Sequence, residues 1–556
     1  MIQKLFFCFI LFIFGSGNFI FAQDREHEIH LADSILEVRG EVYFSFSQSF
    51  LNSKIERFIS IENIKKSLVF AYANKNGFNK FLDLNIDFKL QPENFLNSRL
   101  KTAKLATPDS IYPSYPHYLD MMQKFEKDYS SVCKLYNAGF TVQGRNLLML
   151  KISAPLNYSD SRPAVLLTSS IHGNELTGYK LLLNLADYLL QNYGKDELVT
   201  KLLDHTEIWI NPLANPDGTY FGGDLTVLPA KRFNANNLDL NRNFPDPAEG
   251  AHPDGSEWQP ETVAMMVFYK QKKIVLSANF HTGEEVVNYP WDTWSHLHPD
   301  NHWYKDISRQ YVDLAHQKKS SYFSGFDNGI VNGYFWYRIT GGRQDYVNYF
   351  LGGREVTVEL SENGMPDSVS MQNYWNYNLE SLLYYIERSL FGVRGRVTDE
   401  KTSLPLKAKV VLMNHDKENS WVFSDSINGE FNRLLAPGDY EVLISAPGYD
   451  NYIQQISLQA KESRYLTVAL EPMKEQINIY PNPFKRIIIL QINHKILPDN
   501  IKVSLIDLSG KVLYVTTIVN AGSLVTISLP QLPDGFYLLR VQSQNFSKQF
   551  EIIKMD

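Results

Sequence analysis

Hydrophobic and polar positions change their spacing several times along the 556-residue chain, and each change predicts a different region. Between residues 23 and 107, short apolar runs mix with one amphipathic stretch. The run Ser67–Tyr72 predicts a strand, and Lys75–Leu84 predicts a helix. We therefore expect a small α+β unit here. A packing domain is the simpler interpretation, and a pro-segment that covers an active site is the alternative.

Apolar segments of strand and helix character alternate through residues 108–390, after a Pro- and Ser-bearing linker over 108–116. The clearest segments are Ala164–Ile171 (strand), Leu176–Asn192 (helix), Glu207–Ile210 (strand) and Lys273–Phe280 (strand). Such alternation predicts an α/β sheet with helices on both faces. Ligands of such sheets gather at the carboxyl ends of the strands.

After about residue 390 the pattern changes to short strands separated by Gly- and Pro-containing turns. A second module of the same kind begins near Ile477, and no helical period occurs in it. The pattern predicts two small β-sandwich domains, over 391–472 and 473–556.

The first residues resemble an export signal in their order of charge and hydrophobicity. Lys4 precedes the apolar run Leu5–Phe14, and Ala22 offers a small-residue cleavage point. We expect a signal peptide over residues 1–22 rather than a membrane anchor, since the run is shorter than the roughly 20 residues that span a bilayer. No later segment is long and apolar enough to cross a membrane.

Composition narrows the class of protein but does not identify a partner. Hydrophobic residues make up 44% and charged residues 21%, as in ordinary globular proteins, and the net charge of −7 argues against nucleic-acid binding. Cys8 leaves with the signal peptide, so Cys133 cannot form an internal disulfide and is expected to be a small core residue.

Three potential metal ligands follow predicted strands. His172 and Glu175 lie three residues apart where a strand meets a helix, and His281 follows the strand that ends at Phe280. Two imidazoles and one carboxylate leave a fourth zinc position open, as in catalytic zinc sites. By spacing alone, the start of a solvated helix explains His172 and Glu175 better than a metal site does.

Four motifs in order resemble a known family. They are His172-Gly-Asn-Glu175, Asn215-Pro-Asp-Gly218, Leu238-Asp-Leu-Asn-Arg-Asn-Phe-Pro245 and Val356-Thr-Val-Glu-Leu360. Together they resemble the zinc metallocarboxypeptidases, and most closely the carboxypeptidase N/E branch. The resemblance covers about residues 116–472. It implies a mixed sheet with helices on both faces, one zinc ion, and hydrolysis at the C-terminus of peptides or proteins.

The resemblance implies roles for the residues that match the family's catalytic positions. The metal ligands fall on His172, Glu175 and His281. The general base falls on Glu359, which from its strand alone would be a surface carboxylate. Arg232, otherwise a surface charge, matches the residue that stabilises the oxyanion.

A further carboxylate and three substrate-binding side chains also match. Asp239 matches the residue that orients the first zinc histidine, and its alternative role is to cap a turn. Asn241, Arg242 and Tyr337 match the clamp for the substrate's terminal carboxylate, with aromatic packing the alternative for Tyr337.

Asp292 and Gln344 match the basic-specific members, so the resemblance implies a preference for C-terminal lysine or arginine. Asp292 could instead be an exposed loop acid. The sequence departs from the branch at Thr282, and Glu284 and Glu285 add negative charge near the pocket.

The two C-terminal modules resemble known domains. The first contains Gly395-Arg-Val-Thr-Asp399, Leu435-Ala-Pro-Gly-Asp-Tyr440 and Ala446-Pro-Gly-Tyr449. These turns resemble a transthyretin-like, carboxypeptidase regulatory-like sandwich, which we expect to pack on the enzyme domain rather than to bind carbohydrate.

The second module contains Ile479-Tyr-Pro-Asn-Pro-Phe484, Leu508-Ser-Gly-Lys-Val-Leu-Tyr514 and Leu532-Pro-Asp-Gly-Phe-Tyr-Leu538. It resembles the C-terminal sorting domain of type IX secretion, with an adhesive sandwich as the alternative. The resemblance implies the type IX machinery as a partner and a secreted or cell-surface location.

Two rival functions remain. One is an amidase on the same scaffold that acts on cell-wall or modified peptides, and Asp292 speaks against it because such substrates call for a cationic pocket. The other is a surface-binding protein that has lost catalysis, against which the presence of all three ligands and Glu359 argues.

Overall fold

The computed structural model describes residues 25–92, 111–157, 162–473, 477–492, 500–519, 524–543 and 547–556. The expected signal peptide, residues 1–22, lies outside these ranges. Within them, no helix combines the length and the apolar character needed to cross a membrane.

Residues 25–92 form the small α+β unit, called the N-terminal unit below. Its elements are helix α1 (25–39), strands β1 (Val42–Ser47), β2 (Ser60–Lys65) and β3 (Leu68–Ala73), helix α2 (Lys75–Leu82) and strand β4 (Phe88–Leu90). The sheet order is β2-β3-β1-β4, so β2 is an edge strand. Phe44, Phe46, Phe78 and Phe81 pack between the sheet and α2.

The central region is an eight-stranded mixed sheet in the order β11-β10-β12-β9-β7-β8-β6-β5. Its strands are β5 (Cys133–Phe140), β6 (Asn146–Ile152), β7 (Ala164–Ser169), β8 (Glu207–Asn211), β9 (Ile274–His281), β10 (Glu285–Tyr289), β11 (Ile330–Asn332) and β12 (Arg354–Leu360). Its helices of eight or more residues are α3 (Tyr115–Asp128), α4 (Thr177–Asn192), α5 (Glu197–His205), α6 (Pro260–Lys272), α7 (Asn301–Lys318) and α8 (Ser368–Glu387). Shorter helical turns are Pro216–Thr219, Leu240–Arg242, Gly333–Trp336, Arg343–Tyr346, Val347–Leu351 and Arg388–Leu390.

Helices cover both faces of this sheet, as the alternation predicted. Val165 and Leu167 of β7 pack in the core that includes α4, α7 and α8, whereas Leu166 packs against α6 on the opposite face. Strand β7 is buried throughout and pairs in parallel with β8 and β9, which explains its continuous apolar run. Cys133 is a free, buried residue.

Two β-sandwiches follow, and only strands and turns occur in their described residues. The first contains β13 (Gly392–Asp399), β14 (Lys409–Leu412), β15 (Val422–Phe423), β16 (Glu430–Arg433), β17 (Gly438–Ser445), β18 (Tyr452–Leu458) and β19 (Ser463–Leu470). The second contains β20 (Ile477–Tyr480), β21 (Ile487–Ile492), β22 (Asn500–Ile506), β23 (Val512–Val519), β24 (Leu524–Ser528), β25 (Gly535–Gln542) and β26 (Ser547–Lys554). Each has one three-stranded and one four-stranded sheet.

A buried ion network joins the first sandwich to the central region. Asp300, just before α7, accepts hydrogen bonds from Arg354 at 3.0 Å and from Arg433 of β16 at 2.8 and 2.9 Å. His415 Nε2 lies 2.8 Å from the same carboxylate. The first sandwich therefore packs on the central domain through charged side chains as well as through apolar surface.

Candidate active site

The loop between β7 and α4 carries two of the expected metal ligands, His172 and Glu175. The Ser170 hydroxyl donates to the Glu175 backbone carbonyl at 2.7 Å, which closes the loop into a tight turn. A Cβ atom at Gly173 would lie 2.3 Å from the Gly218 backbone, so glycine permits the turn to approach the Asn215–Gly218 segment.

The other two residues of the expected catalytic set lie on neighbouring parallel strands. His281 is the last residue of β9, rather than the first residue after it as predicted. Glu359 is its register partner on β12. Because residues in register on adjacent strands point to the same face, His281 and Glu359 meet at one edge of the sheet.

Ligand atoms of His172, Glu175 and His281 converge on one point. His172 Nδ1 lies 2.8 Å from Glu175 Oε1, and His281 Nδ1 lies 2.9 Å from Glu175 Oε2. The two Nδ1 atoms are 3.1 Å apart. Donors at zinc distances of about 2.0–2.1 Å in tetrahedral geometry would be about 3.3 Å apart. The three side chains therefore fit a zinc ion.

The protonation states of Glu175 and His281, and the orientation of His172, suit metal binding, although nearby acids raise the pKa of His172. Asp239 Oδ1 lies 3.0 Å from His172 Nε2, an arrangement that keeps the proton on Nε2 and turns Nδ1 towards the cluster. Burial lowers the pKa of His281 to about 4, which favours the neutral imidazole. Burial opposes the charge of Glu175, but the two histidines hold the pKa of its carboxyl below the ordinary value.

Glu359 is 7% exposed, so it is not the surface carboxylate that its strand alone suggested. Burial raises its pKa well above the usual range, and the negative charge of Glu175 adds to the effect. None of the described residues is hydrogen-bonded to Glu359 Oε2. A buried carboxylate with a free oxygen beside a metal site can accept a proton and return it.

Arg232 is buried at the same site and is not a surface charge. Its Nη1 donates to Glu175 Oε1 at 3.0 Å, and its Nη2 lies 3.4 Å from Asp239 Oδ2. Its Nε donates to the hydroxyl of Ser60, a residue of the N-terminal unit, at 3.0 Å.

The expected carboxylate clamp lies around the same cavity. The Asn241 side-chain oxygen accepts a hydrogen bond from the Arg343 backbone N–H at 3.0 Å. The side-chain nitrogen of Asn241 therefore points away from Arg343. Arg242 donates to the Asn241 carbonyl at 2.9 Å and to the Ile61 carbonyl of β2 at 3.5 Å. Tyr337 is buried in the apolar core of the N-terminal unit, so the packing alternative describes its present contacts.

Asp292 is buried, not an exposed loop acid. Its Oδ1 accepts from Asn288 at 3.1 Å and from Gln344 at 2.9 Å. Burial raises its pKa to about 7. A Cβ atom at Gly333 would lie 1.7 Å from Asp292 Oδ1, so glycine there leaves room for the carboxylate.

Two further residues contact Asp292, and the sequence predicted a role for neither Gly333 nor Asn288. Gly333 carries no sequence signal, because its importance comes from a contact with a residue 41 positions earlier in the chain. Asn288 could have been noticed as a polar residue on a buried strand.

Most of the expected site residues line one cavity. Its lining includes His172, Glu175, Arg232, Asn241, Arg242, His281, Asp292, Tyr337 and Glu359. Asp239 and Gln344 contact members of this lining from behind. Asp239 also accepts from the Asn241 backbone N–H at 2.8 Å, so it caps a turn as well as contacting His172.

Comparison with known proteins adds independent findings. A family model described as zinc carboxypeptidase matches residues 118–381, one described as carboxypeptidase regulatory-like domain matches 392–471, and one described as secretion system C-terminal sorting domain matches 478–555. The sorting domain makes this a secreted or cell-surface protein of the type IX route.

Curated relatives match about three fifths of the chain. Carboxypeptidase M of Mus musculus is 34% identical over 63% of this chain and 82% of its own length. Carboxypeptidase E of Caenorhabditis elegans is 31% identical over 62% of this chain and 83% of its own. Carboxypeptidase D of Rattus norvegicus is 34% identical over 64% of this chain. This match covers only 27% of that longer relative. With these matches and a ligand set that fits zinc, the chain belongs to the zinc carboxypeptidase family.

Proposed function

We propose that the protein is a secreted carboxypeptidase that hydrolyses the last peptide bond of its substrates and prefers C-terminal lysine or arginine. The observation that carries the proposal is the convergence of His172, Glu175 and His281 beside Glu359 and two arginines in one cavity. A binding role would require neither a metal set with an open position nor a buried carboxylate with one free oxygen.

Each catalytic side chain has a task that its position supports. His172, Glu175 and His281 would hold a zinc ion, which would supply Lewis acidity to polarise a carbonyl and to lower the pKa of water. Glu359 takes the proton from the attacking water and delivers it to the leaving amine. Arg232 stabilises the negative charge that develops on the carbonyl oxygen, and Asp239 keeps His172 in the metal-binding tautomer.

The substrate's terminal residue is recognised by two sets of groups. Arg242, Asn241 and Tyr337 bind the free carboxylate, which a guanidinium can grip through two parallel hydrogen bonds. Asp292, positioned by Gln344, pairs with a cationic side chain. A desolvated carboxylate also rejects apolar side chains, because they would leave it without a partner.

The proposal includes domain limits and a partner. We assign the catalytic domain to 108–390, the regulatory-like sandwich to 391–472 and the sorting domain to 473–556, and we take the type IX machinery as the partner of the last.

An amidase acting on acidic stem peptides is disfavoured because the buried Asp292 would repel an acidic side chain.

A peptide panel tests this function. Purified protein is offered matched peptides ending in Arg, Lys, Leu, Phe or Glu, with and without a zinc chelator. We expect cleavage of the Arg and Lys peptides that stops on chelation. In Glu359→Gln, turnover should fall roughly 100- to 10,000-fold, the usual worth of a general base, while zinc content stays the same.

Equal cleavage of all five endings would refute the role of Asp292. Glu359→Gln with undiminished turnover would remove Glu359 from the mechanism.

A further inference from the structure

The loop between β10 and α7, residues 290–300, carries Asp292 and is called the pocket loop below. Its two ends are largely buried, whereas its tip, residues 295–297, is exposed. Asp345 fixes the first end, because its carboxylate accepts from the backbone N–H of Asp292 at 3.1 Å and from that of Thr293 at 2.8 Å. Hydrogen bonds of two backbone donors to one carboxylate hold the Asp292 backbone firmly in the catalytic domain.

His298 joins the two ends of the pocket loop. Its ring is 4.6 Å from the ring of Trp291, the neighbour of Asp292, and its Nδ1 accepts from the Asp300 backbone N–H at 2.9 Å. Trp291, His298 and Asp300 are each at most 3% exposed. Because close-packed side chains leave little space to absorb a shift, a displacement of Asp300 would be transmitted to the residue beside Asp292.

A second route leads from His298 to the Asp292 carboxylate. The His298 ring is 5.0 Å from the ring of Tyr304, whose hydroxyl donates to the Asn348 side-chain oxygen. Asn348 Nδ2 donates to the Gln344 carbonyl at 2.9 Å, and Gln344 Nε2 donates to Asp292 Oδ1 at 2.9 Å. His298 is therefore connected to both the backbone and the carboxylate of Asp292.

The first sandwich holds the other end of the pocket loop. Arg433 donates to both oxygens of Asp300, at 2.8 and 2.9 Å, and His415 Nε2 lies 2.8 Å from Oδ1. Arg354 of the catalytic domain also donates to Asp300, at 3.0 Å. Two parallel bonds from one guanidinium fix the orientation of a carboxylate as well as its position, so the sandwich restrains Asp300 more tightly than the catalytic domain does alone.

We propose that the first sandwich positions the substrate pocket: Arg433 and His415 hold Asp300, and the pocket loop transmits this restraint to Asp292. Neither Arg433 nor His415 lines the cavity, so both are positioning residues. The inference rests on the proposed function, since Asp292 belongs to the pocket assigned there. It gives the sandwich a role in substrate recognition in addition to packing on the enzyme domain.

Two changes in the full-length protein loosen the hold on Asp300. Arg433→Lys keeps the positive charge but cannot form both parallel bonds. His415→Ala removes a side chain that is 27% exposed, so it disturbs the buried network less. Asp399→Ala is the matched control, because its carboxylate bonds lie within the sandwich, to the Lys401 and Thr402 backbone N–H groups and the Tyr449 hydroxyl.

Steady-state kinetics on a peptide ending in lysine gives KM and kcat for each form. Both interface variants should raise KM at least about fivefold, because small displacements of a positioned group are costly, and should leave kcat within about twofold. Asp399→Ala should leave both within about twofold of the parent. The inference is overturned if neither interface variant raises KM, or if the control raises it as much.

The same changes in an Asp292→Asn background test the route. Their effect passes through the Asp292 carboxylate, so in its absence each should change KM by less than about twofold. A general loss of structure in the sandwich would instead raise KM equally in both backgrounds, and that result would reject the positioning role.

Peptide affinity separates this inference from the proposed function. It is measured with a fluorescent lysine-ending peptide in a Glu359→Gln background. Weaker binding by the interface variants, without turnover in any form that keeps Glu359, would uphold the positioning role and reject the hydrolase. Turnover by the parent protein, with KM unchanged in both interface variants, would uphold the hydrolase and reject the positioning role.

Discussion

Among single residues, Asp292 lies in an environment that makes its charge sensitive to pH. It lies near the carboxylates of Asp345, Asp246 and Glu355, with Arg242 as a nearby positive charge. Burial and these acids outweigh the arginine, and the pKa of Asp292 rises to about 7. The Asp292 carboxyl therefore changes from neutral to negative near neutral pH.

Recognition of lysine should follow this titration. Because the raised pKa keeps Asp292 protonated in acid, KM for a peptide ending in lysine should fall as pH rises from about 6 to about 8, through the pKa of about 7. Asp292→Asn should raise KM and abolish its pH dependence, with less effect on kcat. Steady-state kinetics over this range, with a leucine-ending peptide as control, measures the difference, and an unchanged KM profile in Asp292→Asn would contradict it.

At the scale of elements, the metal loop depends on a close approach between two segments. The Thr219 hydroxyl donates to the Gly173 carbonyl at 2.8 Å, and the Gly173 N–H donates to the Arg232 carbonyl at 3.0 Å. The loop between β7 and α4 thus lies between the Asn215–Gly218 segment and the strip of chain that carries Arg232. Its geometry is fixed from both sides.

Gly173→Ala should disturb this packing. The new Cβ would meet the Gly218 backbone at 2.3 Å and displace His172 and Glu175, so zinc affinity should fall by roughly 10- to 100-fold, as when groups that orient metal ligands are lost. Competition with a fluorescent chelator measures the affinity. Gly325→Ala is the matched control, because a Cβ there meets nothing within 4 Å, and equal affinities in the two variants would refute the role of Gly173.

The sequence could predict those site residues whose positions depend on a neighbouring strand in the chain. The expected ligands follow or end strands, as the apolar runs indicated: His172 and Glu175 lie in the loop after β7, and His281 ends β9. Asp292 and Arg232 needed the family resemblance, since a single charged residue in a loop has no period that distinguishes buried from exposed. Gly333 could not be predicted, because its importance comes from a distant contact that no local pattern encodes.

For the whole molecule, the Asp300 network determines how firmly the first sandwich is joined to the catalytic domain. The carboxylate is buried between guanidinium groups of the two domains, Arg354 and Arg433, and the pKa of Asp300 stays well below its usual range despite burial, because of these arginines. Removing one partner of such a network leaves buried charges uncompensated.

Asp300→Ala should therefore lower the free energy of unfolding by about 3–5 kcal/mol. Glu418→Ala removes an exposed ion pair with His296 across the same interface and should cost less than about 1 kcal/mol. Urea denaturation followed by tryptophan fluorescence compares the variants. Similar losses in both would show that the network contributes no more than a surface pair.

The burial of the three donors also determines how a bound ion could be exchanged. His172, Glu175 and His281 are each at most 3% exposed, so the surrounding structure must open locally before zinc can reach or leave them. Exchange of the ion is then limited by the rate of that opening and not by diffusion.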